Sequence, residues 1–356
     1  MKLWHLVIAF VVIVTLGVLY LLFYPVKIDA AAWTPPPAPT LEGIYAVNRA
    51  LAQVARLGAE TIVGSEDVAV AADGRIYAGA KDGNIYRLPA GGGAPERFAA
   101  TGGRPLGLKF DRRGYLLVAD CMRGLLEVAP DGTVTVLSTE AGGKPFKFTD
   151  DLDIAADGTI YFTDASWKFA QPEYRLDFLE HRPNGRLLAY DPATKTTRVV
   201  LENLYFPNGV ALSPDQQSLV LAETAKYRIL RYWLAGERRG QVETLIDNLP
   251  GFPDGVSAGS NGVFWVALFA RRNATLDKLL PQPFWRKVVL RLPRIFQPKP
   301  DHYGFVIGIN ERGEVVKNFQ DPSPTAFAPV TNVVEHNGKL YLGSLEDRGI
   351  GVLPLD

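Results

Sequence analysis

Four side chains that carry oxygen atoms recur at one position of a repeated sequence pattern. The pentapeptides FPNGV and FPDGV differ only in their third letter, which is Asn208 in the first and Asp254 in the second. Glu66 and Asp150 begin two similar stretches, EDVAVAADGRIYAG and DDLDIAADGTIYFTD. Carboxylate and amide oxygens are the ligands that Ca²⁺ prefers, with about six to eight around each ion. If the fold brings these four residues together, they form a calcium site.

The recurrence favours a metal site over ordinary turn chemistry. Asn-Gly and Asp-Gly pairs are common in turns, so one such residue alone would indicate only a turn. Three carboxylates held close together, however, repel one another unless a cation lies between them. Asp254 and Asp150 are also the candidate catalytic residues, as nucleophile or as general base toward water. Asp151, next in the chain, is expected to support the ligand residues without binding the ion itself.

The pattern occurs six times, and each copy predicts a β-hairpin. Each copy alternates apolar and polar residues, turns at an Asp-Gly or Asn-Gly pair or a similar turn sequence, and resumes with an apolar strand. The copies begin at Glu66, Leu106, Asp150, Asn208, Asp254 and Thr331, at spacings of 40, 44, 58, 46 and 77 residues. A period of about 40–50 residues with several strands per unit is typical of a β-propeller. The sequence therefore predicts an all-β fold, a six-bladed β-propeller.

This fold would bring the first residue of every copy to the central channel. The innermost strand of each blade lines the channel of a propeller, so equivalent positions meet although they are distant in sequence. Three acids end the strands that follow, and we expect them to form hydrogen bonds between blades rather than to act in catalysis. They are Asp120, Asp164 and Glu223.

The N-terminus predicts a membrane anchor. Residues 3–26 contain one basic or acidic residue, His5, and about 20 apolar residues in a helix suffice to cross the bilayer. Aromatic side chains lie near both ends of this stretch, where interfacial rings are common. A cleaved secretory signal with its site in DAAAW at 29–33 is the alternative. Lys2, Lys27 and Asp29 indicate the orientation only faintly, and we expect a cytoplasmic N-terminus.

Three regions follow from these patterns: a transmembrane anchor at 1–27, a Pro-rich linker with one short helix at 28–60, and the propeller at 61–356. WTPPPAPT is a stiff spacer, and the short helix is expected within 41–58 from a loose helical stripe. The long gap before the last copy holds residues 276–300, which are apolar and basic and include five prolines. These residues are expected to form a lid over the channel mouth, a membrane-contact segment or a plain packing element.

Composition excludes several other classes of function. The 356 residues carry no net charge at a pI near 6.9, so no nucleic-acid partner is expected. The single cysteine, Cys121, excludes an internal disulfide framework and a zinc site with several cysteines. The four histidines are too far apart in sequence to suggest a histidine-rich metal centre.

A resemblance to the strictosidine synthase-like family rests on the stretches RPLGLKFDRRGYLLVAD, FTDDLDIAADGTIYFTDAS, GRLLAYDP, FPNGVALSPDQQSLVLAE, GFPDGV and EHNGKLYLGS. The likeness covers residues 25–356, and it is strongest to the membrane-anchored subgroup of adipocyte plasma-membrane-associated proteins. Paraoxonases and gluconolactonases are related six-bladed propellers. The resemblance implies a calcium ion in the channel and, for many members, hydrolysis of lactones, aryl esters or phosphotriesters.

The resemblance places Glu66, Asn208 and Asp254 at family calcium positions, while three other positions depart from the pattern. Asp150 replaces the usual asparagine, which adds a negative charge. Leu106 stands where paraoxonases have a channel histidine, so that base is missing. Thr331 stands near the glutamate credited with catalysis in true strictosidine synthases, so condensation of an amine with an aldehyde is not expected.

Two functions remain open on the sequence. The first is a membrane-anchored, calcium-dependent hydrolase of apolar lactones or aryl esters, in which the metal polarises the substrate oxygen. The alternative is a non-catalytic, membrane-tethered propeller that binds a partner or ligand and uses calcium structurally. In both cases the propeller is expected on the non-cytoplasmic side of the membrane, which is the periplasmic face if the protein is bacterial.

Overall fold

A computed structural model describes residues 3–355, and its six four-stranded antiparallel sheets confirm the six-bladed β-propeller. Blades 1 and 2 contain the strands Val68–Val70, Ile76–Gly79, Asn84–Leu88 and Glu96–Ala100, then Pro105–Phe110, Leu116–Asp120, Gly124–Val128 and Val134–Ser138. Blades 3 and 4 contain Thr149–Ile154, Ile160–Asp164, Gly185–Asp191 and Thr196–Leu204, then Pro207–Leu212, Ser218–Glu223, Arg228–Trp233 and Val242–Ile246. Blades 5 and 6 contain Gly251–Ala258, Val263–Arg271, Gly304–Asn310 and Val315–Asp321, then Val333–His336, Lys339–Leu342, Ile350–Pro354 and Ala55–Leu57. The first strand of each series is the inner strand, and inner strands of neighbouring blades contact one another around the ring.

The two ends of the chain close the ring in blade 6. Ala55–Leu57 pairs antiparallel with Ile350–Pro354, and Arg56 lies opposite Gly351. The structure therefore differs from the short helix expected within 41–58. It has a single 3₁₀ turn at Gly43–Tyr45 followed by this outer strand.

The hydrophobic core lies between the blades. Second strands are covered on both faces, and every residue of Leu116–Asp120 and Ile160–Asp164 is buried. Between blades 4 and 5, for example, Val220 packs in one cluster with Phe264 and Phe305. This layered packing holds each inner strand at a fixed distance from the axis.

Four helices and one small ribbon stand outside the blades. The helices are α1 (Leu3–Phe23), α2 (Tyr174–Glu180), α3 (Ala274–Leu279) and α4 (Pro283–Arg291). The ribbon pairs Glu140–Ala141 with Lys144–Pro145. Helix α2 interrupts blade 3, and α3 and α4 interrupt blade 5, in each case between the second and third strands. In an antiparallel pair, the second strand ends beside the residue at which the first strand begins. Both interruptions follow a second strand, so they lie on the face of the propeller where the inner strands start. We call this face the upper face.

Helix α1 has the length and composition of a membrane span. Its 21 residues would extend about 31 Å along the helix axis, close to the roughly 30 Å of a hydrocarbon core. None of its residues is buried in the protein. Met1 and Lys2, the start of the predicted anchor, and Asp356 lie outside the described residues.

A buried ion pair joins blade 3 to the small ribbon. Arg186 and Asp164 are almost inaccessible to solvent, and Arg186 Nη2 lies 2.8 Å from Asp164 Oδ2. The same guanidinium donates to the carbonyl oxygens of Ala141, Lys144 and Pro145. Every polar group of this pair therefore has a partner, as burial requires.

We expect Arg186→Met to lower the free energy of unfolding by about 3–5 kcal/mol, because it leaves the Asp164 carboxylate buried without its partner. The surface pair of Arg312 and Glu314 supplies the control, and Arg312→Met should leave the free energy of unfolding nearly unchanged because water screens this pair. Urea unfolding of both variants measures the difference. Equal losses would mean that the buried pair contributes no more than an exposed one.

Candidate functional site

The candidate ligands lie where the inner strands depart from regular pairing. Four inner strands shift register against their second strands, which is the mark of a β-bulge. The shifts lie between Pro105 and Leu108, between Thr149 and Leu152, between Pro207 and Val210, and between Pro253 and Val256. Asp150, Asn208 and Asp254 sit within three of these bulges, and Glu66 lies two residues before the inner strand of blade 1, Val68–Val70. A bulge turns a side chain out of the sheet plane, which here directs it to the channel.

The four predicted ligands border one cavity on the upper face. We call them the floor residues: Glu66, Asp150, Asn208 and Asp254. Their exposed fractions are only 2–6%, so they lie at the base of the cavity rather than at its mouth. The cavity holds about 1050 Å³ of empty space, the open solvent at its mouth included.

Burial and mutual repulsion make the floor unfavourable for negative charge. Burial raises the pKa of Glu66 well above its ordinary value, and the charges of Asp150 and Asp254 raise it further. Burial and then the charge of Asp254 raise the pKa of Asp150. Burial also raises the pKa of Asp254, while the neighbouring Asn208 side chain acts in the opposite direction. A group of acids in this state is stabilised by protons or by a bound cation.

Two buried atoms of the floor have no hydrogen-bond partner. They are Asp150 Oδ2 and Asn208 Oδ1. Buried oxygen atoms are normally satisfied, so orphaned ones indicate a missing partner such as a cation. Arg104 lies within electrostatic range of Glu66, and its buried Nη1 also lacks a hydrogen-bond partner. The donor set, three carboxylates and an amide, fits a hard cation such as Ca²⁺.

The floor is an incomplete metal site as it stands. Within residues 3–355, no three His, Cys, Asp or Glu side chains approach closely enough to form a ready metal-binding group. The floor residues come from four different blades, and one of them is an amide. A calcium ion bound here would need water or a ligand to complete its coordination.

Three phenylalanines line the cavity together with the floor residues, and none of them was among the predicted site residues. Phe148, Phe206 and Phe252 each precede a floor residue by two positions, and all three line the cavity. The rings of Phe148 and Phe206 meet edge to face at 5.3 Å between centroids. Their signal was present, since phenylalanine opens both FPNGV and FPDGV. Phe206 has φ of +55°, a left-handed conformation that is costly for an aromatic residue and is often found at functional sites.

The remaining walls come from the two interruptions of the blades. Tyr174 and Phe178 of α2 line the cavity, as does Leu276 of α3. The Phe178 ring lies 4.7 Å from that of Phe206, so α2 completes an aromatic wall. Because these residues belong to no repeat, the period that located the floor could not locate them. In the sequence, the wider spacing of 58 residues between Asp150 and Asn208 was the one indication of the insertion that contains α2.

Asp151 joins two blades rather than facing the cavity. Its Oδ2 accepts a hydrogen bond of 3.0 Å from the Val210 amide in blade 4, and its Oδ1 accepts one from Leu152. Asp67, the equivalent residue of blade 1, accepts a 2.8 Å bond from the Leu108 amide of blade 2. The second residue of these two copies, Asp151 or Asp67, therefore positions the preceding floor residue through the backbone.

The acids that end the second strands act within their own blades, not between blades. Asp120 Oδ1 accepts from the Arg104 amide at 2.9 Å, and Asp164 Oδ1 accepts from the Phe148 amide at 3.0 Å. Glu223 Oε1 accepts from the Tyr205 amide at 2.8 Å. Each acid thus fixes the backbone two or three residues before the first residue of a copy of the repeat.

Two copies of the repeat bring no candidate metal ligand to the floor. Leu106 is buried and lines the cavity, so blade 2 contributes an apolar side chain. Thr331 is buried, and its Oγ1 donates a 2.7 Å hydrogen bond to the backbone oxygen of Glu66. Thr331 therefore holds the backbone of a floor residue.

We expect the stability of the calcium-free protein to fall as pH rises, because the folded state binds protons on the floor more tightly than the unfolded chain does. The fall should begin above the ordinary aspartate pKa of 3.8. Asp150→Asn removes one of the repelling charges and should raise the free energy of unfolding by about 1–3 kcal/mol at pH 8. Thermal unfolding in a chelator at pH 5 and pH 8 measures both effects.

The exposed turn residue Asp157 of the same blade supplies the control, and Asp157→Asn should leave the pH dependence unchanged. Added calcium should raise the unfolding temperature of the original protein more than that of Asp150→Asn. An unchanged pH profile in Asp150→Asn would contradict the repulsion described above.

Comparison with protein families places this site in context. The strictosidine synthase profile matches residues 150–237, and the profile of the N-terminal region of strictosidine synthase-like proteins matches residues 43–88. An adipocyte plasma membrane-associated protein of Salmo salar is 35% identical over 94% of this chain and 87% of its own length. The protein strictosidine synthase-like 6 of Arabidopsis thaliana is 36% identical over 81% of this chain and 78% of its own length.

Solved structures share the propeller at low sequence identity. A gluconolactonase of Xanthomonas campestris superposes with a TM-score of 0.62 at 18% identity, covering 93% of this chain and 99% of that chain. A calcium-binding protein, regucalcin, of Agrobacterium tumefaciens superposes with a TM-score of 0.59 at 15% identity, covering 83% and 92%. At these identities the likeness extends to the fold alone.

Proposed function

The chain belongs to the strictosidine synthase-like family, and on that premise we propose that it is a membrane-anchored, calcium-dependent hydrolase of lactones or aryl esters. The observation that carries the proposal is the combination of a buried oxygen-rich floor with an apolar cavity above it. Glu66, Asp150, Asn208 and Asp254 would hold the ion. The structural relatives named as a gluconolactonase and as a calcium-binding regucalcin support the same reading.

Each part of the cavity has a role in this reaction. Calcium, when bound, would supply Lewis-acid polarisation of the substrate oxygen. The phenylalanines at 148, 206 and 252 would bind the apolar part of the substrate and exclude water from the floor. Asp254 or Asp150 would act as nucleophile or as general base toward water, since both border the cavity at its base.

The lining favours an apolar substrate. Apart from the floor, the described walls consist largely of Leu106, three phenylalanines and the side chains of α2 and α3. An aryl ester or a lactone with an apolar substituent would place its carbonyl at the floor and its apolar part against these rings. A small, fully hydrated sugar acid would leave the rings exposed to water.

One observation favours the alternative, a non-catalytic propeller that binds a partner or ligand and uses calcium structurally. Leu106 brings no base to the cavity from blade 2, so the acids of the floor would have to serve both as ligands and in proton transfer. Condensation of the strictosidine type has no support, because Thr331 holds the backbone beside Glu66 and offers no carboxylate.

Helix α1 would hold the protein in the membrane. It is long and apolar enough to cross a bilayer, and the similar proteins include some named for association with the plasma membrane. We place the N-terminus in the cytoplasm and the propeller on the other side, which is the periplasmic face if the protein is bacterial.

The decisive measurement is hydrolysis of phenyl acetate and of aryl-substituted lactones by the full chain after removal and return of calcium. Calcium should restore turnover in the original protein. Asp254→Asn, which keeps the size of the side chain but removes its charge, should lose at least about a hundredfold. The control is Asp157→Asn, which should behave as the original.

A rise in unfolding temperature with calcium but no turnover of any substrate would make the ion structural and the tethered propeller the better reading. Turnover that survives both the chelator and Asp254→Asn would contradict the assignment of the floor as the reaction site.

A further inference from the structure

The chain that leaves α1 is fixed to the two elements that wall the cavity. Residues 27–33, the junction segment, run between α2 and the insertion at 276–300. The Asp29 amide donates to Glu180 Oε2 at 2.8 Å, and the Ala31 amide donates to the Glu180 carbonyl at 2.9 Å. The Trp33 amide donates to the Leu280 carbonyl at 3.1 Å. The position of α1 is therefore coupled to α2 on one side and to α3 on the other.

Helix α4 of the insertion caps the C-terminal end of α1. Arg291 donates to the carbonyl oxygens of Leu21 and Tyr24 at 2.8 and 2.7 Å. These are among the carbonyls that a helix leaves unpaired at its C-terminus, where positive charge is favourable. With α1 across the hydrocarbon core as proposed above, the end that Arg291 caps would lie at the bilayer surface. The insertion must lie at the same level.

The insertion exposes large apolar side chains together with positive charge. Phe284, Trp285, Ile295 and Phe296 have exposed fractions of 49, 50, 72 and 66%. Residues 278–300 contain no Asp or Glu, and Lys287, Arg291, Arg294 and Lys299 supply positive charge among these apolar residues. Exposed aromatic and aliphatic residues interspersed with Lys and Arg are the composition of segments that lie in the headgroup region of a membrane. The positive charge complements anionic lipids.

The same insertion forms part of the cavity rim. Pro298, Lys299 and Pro300 line the cavity, and the last two are exposed. Arg175 of α2 reaches across and donates to the Pro298 carbonyl at 3.1 Å and to Gln297 Oε1 at 3.2 Å. The rim of the cavity therefore continues directly into the segment that carries Ile295 and Phe296.

We propose that the insertion rests in the headgroup region of the leaflet beside α1, with Phe284, Trp285, Ile295 and Phe296 in contact with lipid. The cavity then receives its ligand from that leaflet, between α2 and the insertion. The ligand class is an apolar ester or lactone that partitions into lipid, and this second part rests on the proposed hydrolysis. The contact with lipid does not depend on the proposed hydrolysis.

The contact can be tested with an environment-sensitive fluorophore on a single introduced cysteine. The native Cys121 is buried, so a surface cysteine in the folded full chain reacts selectively. Ile295→Cys carries the label, and the protein is reconstituted into phosphatidylcholine vesicles that contain phosphatidylglycerol. Lipids with a nitroxide near the headgroup should quench this label strongly.

The matched control is Val242→Cys, whose native side chain is also exposed, at 42%. Val242 pairs with Tyr232 near the end of its strand remote from the upper face. Its label should stay unquenched. Equal quenching at both positions, or none at either, overturns the contact.

The route of entry can be tested with two esters of one aryl alcohol. One has a short, water-soluble acyl group, and the other has a long acyl chain held in the vesicle. Ile295→Ser combined with Phe296→Ser should slow hydrolysis of the vesicle-held ester about tenfold and leave the short ester unaffected, since neither residue lines the cavity.

An equal rate for the vesicle-held ester in the original and in the double variant overturns entry from the leaflet while leaving the hydrolase intact. Failure of the original protein to hydrolyse either ester overturns the hydrolase, and entry of a substrate falls with it. The quenching experiment still decides the contact with lipid in that case.

Discussion

The electrostatic cost of placing three carboxylates at the meeting point of six inner strands is the constraint on which the rest of the structure depends. Glu66, Asp150 and Asp254 are removed from water, and burial raises the pKa of each. The charges of Asp150 and Asp254 raise the pKa of Glu66 further, and the charge of Asp254 raises the pKa of Asp150. In a medium of low dielectric such a group is costly unless a proton or cation compensates it. A site of this kind persists only if the surrounding backbone cannot relax to separate the charges.

The repeat itself supplies that rigidity. After every channel-facing residue except Thr331, the next residue is either an aspartate that bonds the following blade or a glycine. Asp151 bonds the Val210 amide of the next blade, whereas Gly107 leaves room for Asp151, whose Cα would lie 2.8 Å from a Cβ at that position. Gly255 is equally confined, because a Cβ there would lie 2.6 Å from the Thr331 oxygen. The inner strands of neighbouring blades thus pack closely at the axis. The blades on either side fix the β-bulges that direct the floor residues to the channel.

Much of this arrangement could be predicted from the sequence because it repeats. The six copies located the blades, and the shared first position of the copies located the floor, since symmetry converts sequence register into spatial proximity. Features outside the repeat could not be predicted in this way. Ala55–Leu57 resembles part of an amphipathic helix, and it becomes a strand because its partner, Ile350–Pro354, lies at the far end of the chain. Similarly, α2 reaches the cavity through tertiary packing against Phe206, which no local pattern encodes.

The polarity of the cavity and the position of α1 have a joint consequence. The floor is polar, the walls above it are aromatic, and the rim continues into an apolar segment beside the end of the apolar helix α1. An ester or lactone that travels in a leaflet keeps its polar carbonyl near the headgroups and its apolar part in lipid. On entering across the insertion, such a molecule would exchange lipid for phenylalanine rings without exposing its apolar part to water. Its carbonyl, the most polar group, would be drawn toward the floor, where the proposed calcium ligands lie. The change in polarity from the apolar rim to the oxygen-rich floor would therefore orient a substrate before any specific contact forms.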